Sequence, residues 1–325
     1  MNGTEDIFFS LLRSGLWGSG PADLAGEEPD WEGIFTLARR QAVFGLVFRG
    51  ASMLPENQMP PMPERMKLMV EAGKIEKQAG KVKETAREVV ATLTEAGFSP
   101  LVFKGPSVGK YYREPELRTS GDVDIWIPQH LEAAADLFRN KGLAVMKESD
   151  GAFRFSLDGV TVELHRKYYD LHVSPGKLPE VPSACAELLM LSSHILKHAI
   201  GVGIGLKQFC DMAMAFSALD GKYDQEELGT CIRKCGLRRW NDLLCSFLAE
   251  FLGSPAATLP AHRTVSASPL LRIVMEGGNF GQHADGFRLS KSYTVRRFIG
   301  RLPFSLRISP RETFGTLLDL TKGNL

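Results

Sequence analysis

The spacing of apolar residues changes character along the chain. Up to about residue 55 they recur at helical intervals, most clearly in Trp31-Glu-Gly-Ile-Phe-Thr-Leu-Ala-Arg-Arg-Gln-Ala-Val-Phe-Gly45. Pro55, Pro60, Pro61 and Pro63 then mark a linker. Residues 64–96 read as one long helix. Leu68, Ala72, Ile75, Ala79, Val82, Ala86, Val89 and Leu93 step by four and three, and Lys and Glu crowd the other faces. Gly73 and Gly80 each cost roughly 1 kcal/mol against alanine, so the helix needs tertiary support. Its small, Ala-rich seam favours packing on the chain's own domain over a free coiled coil. Gly97 stops the helix and Pro100 bars its continuation.

Alternation with a period of two follows. Residues 101–104 form a short strand, 105–107 a turn and 108–112 a brief helix. Residues 122–127 form a strand ended by Pro128, and 129–141 a helix. Strands follow at 143–147 and 152–157. Asp158-Gly159 is a two-residue hairpin signal leading into the strand that begins at Val160. From Ser183 onward the pattern is helical. The expected fold class is α+β: an N-terminal helical segment at 1–63, a mixed α/β core at 64–175 and a C-terminal helical domain at 176–325.

Composition narrows the class. A chain of 325 residues, 44% hydrophobic and 24% charged, is a soluble globular protein of about two domains. A net charge of +1 carries no strong nucleic-acid signal and demands no anionic membrane. Five cysteines without paired spacing argue against a disulfide scaffold and suit a reducing cytoplasm. The start lacks a basic leader region, and the apolar run at 7–12 is too short for one. No apolar run approaches the ~20 residues of a transmembrane span. The expected location is the cytoplasm.

The chemistry concentrates around Gly121-Asp-Val-Asp-Ile-Trp-Ile127. Alternate strand residues share a face, so Asp122 and Asp124 project together, with Cα atoms roughly 6–7 Å apart. Both can reach one divalent ion, while Val123, Ile125 and Ile127 enter a core. Glu163, in Val160-Thr-Val-Glu-Leu-His165, lies on the polar face of a second strand of the same sheet. Alone it would read as a solvated acid. Beside the two aspartates it completes a triad. Two unit charges 4 Å apart repel by about 4 kcal/mol at an effective dielectric near 20. Either one acid keeps a proton or a cation sits among them. Mg²⁺, or Mn²⁺, suits such a site, and the third acid serves as ligand or as base for an attacking hydroxyl. Upstream, Gly105 lets backbone approach a triphosphate and Ser107 offers a hydroxyl. Lys104 and Arg118 are cations that could offset phosphate charge, with solvated surface side chains as the competing reading.

These residues resemble the DNA polymerase β-like nucleotidyltransferase superfamily, whose pattern is a glycine turn, a short helix, a hydrophobic-flanked Asp-x-Asp and a later acid on a strand. More closely, the chain resembles a bacterial nucleotidyltransferase family whose members are mostly uncharacterised. The matching features are Phe103-Lys104-Gly105, Arg118-Thr-Ser-Gly121-Asp122-Val-Asp124 and Glu163-Leu-His165. The segments His194-Ile-Leu-Lys-His198 and Gly205-Leu-Lys-Gln-Phe-Cys-Asp211 resemble its helical part. Pro106 departs from the superfamily pattern, standing where a second Gly or Ser is usual. The resemblance implies a small mixed sheet with helices, an NTP co-substrate and an acceptor that is a small molecule, sugar or protein. It also adds His165, which either orients Glu163, contacts substrate or makes a structural hydrogen bond.

The expected activity is Mg²⁺-dependent transfer of a nucleoside monophosphate from NTP to a hydroxyl, with release of pyrophosphate. Asp122, Asp124 and Glu163 hold metal, and Lys104, Gly105, Ser107, Arg118 and His165 contact nucleotide or substrate. Two rivals remain: an Asp-x-Asp glycosyltransferase using a nucleotide-sugar, and a non-catalytic nucleotide or partner binder. Three other features carry less. His194 and His198 are spaced for zinc but lack the glutamate of a zinc-protease helix. Cys231 and Cys235 share a helical face, which reads as packing. The basic stretch Arg296-Arg297-Phe-Ile-Gly-Arg301-Leu-Pro-Phe-Ser-Leu-Arg307 reads as a solvated helix face ahead of an anion or membrane contact.

Overall fold

Three helices open the chain: α1 (Gly3–Trp17), α2 (Trp31–Arg40) and α3 (Phe44–Ser52). Asp30 caps α2 by accepting from the Gly33 amide at 3.0 Å, satisfying one of the helix's free donors. The computed structural model describes residues 3–24, 26, 28–279 and 291–322. Met1 and Asn2 of the start, and residues 280–290 and 323–325 of the expected C-terminal domain, lie outside the described residues.

The proline cluster becomes a 3₁₀ turn at Glu56–Gln58 and the first turn of α4 (Met62–Glu95). Pro63 is tolerated there because a first-turn amide has no helical acceptor. At 34 residues, α4 is roughly 50 Å long and serves two cores. Leu68 and Ala72 join the larger one, with the N-terminal helices. Val82, Ala86, Val89 and Leu93 join the smaller one, beneath the sheet. The periodic seam is therefore real, but it faces two different partners along its length.

The strands are β1 (Leu101–Val102), β2 (Asp122–Trp126), β3 (Met146–Lys147), β4 (Phe153–Leu157) and β5 (Val160–His165). Short helices α5 (Pro106–Gly109) and α6 (Leu131–Asn140) separate them. Helix α5 starts two residues earlier than the spacing predicts, because Pro106 presets a helical first position directly after the glycine turn. The sheet order is β1-β2-β5-β4-β3, with β2 and β5 parallel and the other neighbours antiparallel. Asp158 and Gly159 have φ of 50° and 74°, the left-handed pair that a tight β4–β5 hairpin requires. One sheet face carries Val123, Ile125, Val162, Leu164, Phe153 and Phe155, all buried against α4 and α6. The opposite face carries the acids. This is the small mixed sheet with flanking helices expected for an α+β chain.

The remaining described residues are mainly helical: α7 (Ala184–Ile200), α8 (Leu206–Leu219), α9 (Gln225–Cys235), α10 (Arg238–Leu252), α11 (Ser268–Gly277), α12 (Lys291–Ile308) and α13 (Pro310–Lys322). Helices α7–α11 share the larger core with α1–α3, around buried Trp240, Phe209 and Phe247, and α12 adds Ile308 to it. All five cysteines are free and buried in these helices. Among the described residues, no helix is long and apolar enough to cross a membrane. The basic stretch expected to be a solvated face lies on α12, and only part of it faces water. Phe298 is buried, and Arg301 donates to the carbonyls of Ala199 at 3.3 Å and Gly201 at 2.8 Å. Those carbonyls end α7 and lack helical donors, so a buried guanidinium is stabilised there.

Candidate active site

Register brings the acids together. In the parallel pairing of β2 with β5, Asp124 lies opposite Glu163, Asp122 opposite Thr161 and Trp126 opposite His165. His165 Nε2 is 2.8 Å from Asp124 Oδ1 and 3.4 Å from Glu163 Oε2. Asp124, Glu163 and His165 each offer a ligand atom within 4.8 Å of the others, which makes them a metal-capable group among the described residues. Asp122 stands two positions earlier on the same face, half-buried. The His165 ring is fixed edge-on to Phe103, with centroids 5.4 Å apart.

The electrostatics follow from these contacts. Burial alone would raise the Asp124 pKa, but Lys104 and the hydrogen bond with His165 hold it well below the usual carboxylate range. Burial pulls His165 down, yet its hydrogen bonds to Asp124 and Glu163 raise it to about 9. The imidazolium thus supplies positive charge between two carboxylates. Asp122 is shifted the other way, raised by burial and by the charge of Asp124.

The glycine turn is locked to the acid strand. Phe103 N donates to the Asp124 carbonyl at 3.2 Å. Gly105 has φ 54° and ψ −112°, and a Cβ there would lie 2.9 Å from the Asp122 carbonyl oxygen. Only glycine accepts both the conformation and the approach. Ser107 Oγ is buried without a hydrogen-bond partner, an orphaned donor beside the turn. Lys104 Nζ reaches Asp124 Oδ1 and Asp170 Oδ2, each at 3.8 Å.

Arg118 is placed differently from a phosphate-facing cation. It is buried and spends two nitrogens on Asp211, Nε to Oδ1 at 2.6 Å and Nη2 to Oδ2 at 2.7 Å. Tyr112 adds a 2.7 Å hydrogen bond to the same carboxylate. The pair anchors the segment before β2 to α8. The structure thus gathers Lys104, Asp124, Glu163 and His165 closely, with Asp122, Gly105 and Ser107 alongside, and leaves Arg118 as a strut.

Four further charged groups surround the cluster. Asp170 receives Lys197 at 2.9 Å and pairs with His194 Nδ1 at 3.1 Å. Burial opposes its ionisation, but Lys104 and Lys197 hold its pKa well below the usual range. Lys207, near the start of α8, is depressed by burial and by Arg118, while Asp211 and Asp122 pull it back. Lys197, Lys207 and Asp211 fall within the helical segments whose resemblance is noted above, the one signal that could have located them. Asp170 follows two tyrosines in an aperiodic loop and gives no such signal.

A cavity of about 490 Å³ opens beside the cluster and takes Lys104, His165, Asp170 and Lys197 into its wall. A carboxylate-rich set with one imidazole, faced by cations and a glycine turn, is suited to a hard divalent ion and phosphate oxygens. No curated protein and no solved structure matches the chain. A family model described as uncharacterised nucleotidyltransferase matches residues 27–253, from ahead of α2 to the end of α10. That span contains every residue of the acid cluster, and the chain belongs to this nucleotidyltransferase family.

Proposed function

We propose that the chain transfers a nucleoside monophosphate from an NTP to a hydroxyl acceptor, with Mg²⁺ or Mn²⁺ held by Asp122, Asp124 and Glu163. The observation that carries this reading is Asp124 facing Glu163 across parallel strands, with the glycine turn locked against Asp122. A divalent ion, when bound, neutralises phosphate charge and polarises the reacting phosphoryl group. The chain's own residues do the rest. The turn at Gly105 and the Ser107 hydroxyl cradle phosphate oxygens. Lys104 keeps Asp124 ionised. His165 holds Asp124 through a 2.8 Å contact and reaches Glu163 at 3.4 Å. The acceptor oxygen forms a bond to the α-phosphorus, the bond to the β-phosphate oxygen breaks, and pyrophosphate leaves. Glu163 is the candidate to receive the acceptor's proton, the role a positioned carboxylate fills in general base catalysis.

Thermal denaturation with Mn²⁺ or Mg²⁺ plus each NTP tests this directly, since a ligand that binds the native state raises its Tm. The expected result is a shift that needs metal and triphosphate together. Stabilisation by UDP-glucose alone would replace this reading with glycosyl transfer.

A further inference from the structure

The cavity beside the acids has the volume of a small-molecule site. Its floor is the acid cluster's own surroundings: Lys104, His165 and Asp170. Asp122, Asp124 and Glu163 do not themselves line the cavity, but two of its lining residues touch the acids: Lys104 and His165 reach Asp124, and His165 also reaches Glu163. Its far wall comes from α12 and α13, through Phe298, Thr316 and Leu320. Those helices lie beyond the family match, which ends at residue 253.

The far wall is built rather than incidental. His172 Nδ1 is 2.8 Å from Glu312 Oε2, and its Nε2 is 2.9 Å from Asp319 Oδ2. The His172 amide also donates to Glu312 at 3.0 Å. Gly315 makes the approach possible, because a Cβ there would lie 2.2 Å from the imidazole Cγ. One histidine from the loop after β5 therefore clasps two turns of α13.

The charges around the cavity are largely matched in pairs. Lys104 and Lys197 meet Asp170, Lys147 meets Glu132, and His172 meets Glu312 and Asp319. Arg166, Lys167 and Asp150 also line the cavity, but they are exposed, where solvent and salt screen their charge. A polynucleotide acceptor would call for a row of unpaired cations. Matched charges beside apolar Leu196, Ile200 and Phe298 suit a compact guest that carries hydroxyls but no net charge.

Resting on the transfer reading above, we infer that this cavity is the acceptor subsite, that its guest is a small uncharged or zwitterionic alcohol, and that α12 and α13 select it. The guest's O–H bond gives way to an O–P bond, its proton leaves to Glu163, and pyrophosphate departs.

The test uses the full chain, NTP labelled at the α-phosphate and Mn²⁺. A cell extract is split by dialysis, and the dialysable part is passed over an anion exchanger. Label should enter a product from the dialysable, unretained fraction. Thr316→Trp, which fills the cavity from α13, should cut that transfer about tenfold or more, the scale on which a pocket rejects added bulk. Its Tm shift with Mn²⁺ and NTP should match wild type. Val202→Trp fills the cavity from the turn after α7 and serves if Thr316→Trp does not fold. Label confined to the non-dialysable or retained fractions, label in no fraction, or full transfer in both folded variants would overturn the inference. If wild type lacks the Tm shift with Mn²⁺ and NTP, nucleotidyl transfer itself fails, and this inference with it.

Discussion

His165 Nε2 and Asp124 Oδ1 meet at 2.8 Å across two parallel strands, joining a positive imidazole to a carboxylate at the heart of the acid cluster. The raised His165 pKa has a direct consequence for stability. Protonated His165 stabilises the native state fully below its unfolded pKa near 6.5, and that contribution disappears as pH rises through about 9. Without metal, the protein should lose about 3 kcal/mol between these limits. Urea denaturation from pH 6 to 10 checks this, and His165→Asn should flatten the dependence. A flat wild-type profile would show that the imidazole is not charged between its carboxylates.

Asp122 and Asp124 should respond differently to loss of charge. Asp122 is held with a raised pKa by burial and by its neighbour's charge, so its ionised form is a strain on the metal-free fold. Asp122→Asn should be at least as stable as wild type without metal. Asp124→Asn should be less stable, because it leaves Lys104 and His165 facing a neutral amide. Both should lose the Tm increment from Mn²⁺ with NTP. An increment that survives in both would remove these residues from the metal site.

Glu163 sits opposite Asp124 but half-buried on the open face. Glu163→Gln preserves size and removes the charge. Turnover should fall on the order of a hundredfold, as for loss of a positioned base, while NTP affinity stays within a few fold. Near-normal turnover would confine the site to the two aspartates.

Arg118 and Asp211 form a doubly bonded pair with side chains only 3% and 6% exposed. Removing one member strands a buried charge, which costs about 3–5 kcal/mol. Asp211→Ala should lower stability by that amount and loosen the segment leading into β2. A loss below about 1 kcal/mol in chemical denaturation would place the pair among weak surface contacts.

Gly105→Ala tests the turn. Its φ of 54° and the 2.9 Å approach to the Asp122 carbonyl leave no room for a methyl group. Strain of about 1–3 kcal/mol is expected, with a weakened response to NTP. Calorimetric unfolding measures the first and a thermal shift the second. An alanine variant with wild-type stability would mean the turn relaxes freely.

Much of this protein is written in short-range pattern. Alternation assigned Asp122, Asp124 and Glu163 to the polar faces of strands, because side chains on a strand must alternate. Asp158-Gly159 specified a tight hairpin, because few residue pairs accept left-handed backbone twice. The seam from Leu68 to Leu93 specified a long helix from spacing alone. Each rests on residues a few positions apart, where backbone sterics and solvent exposure decide the outcome.

Pairing over long distances was decided by the tertiary structure. Spacing cannot tell that β2 pairs with β5 so that Asp124, rather than Asp122, faces Glu163. It cannot tell that Arg118 is consumed by Asp211, 93 residues later, or that Asp170 shares Lys104 with Asp124. Nor does it reveal that Arg301 caps α7, or that His172 draws α13 over a cavity at the acids' edge. A charged side chain looks the same in sequence whether it meets water or a buried counter-charge. Only packing removes the water, and only then does one partner out of many become the one that holds.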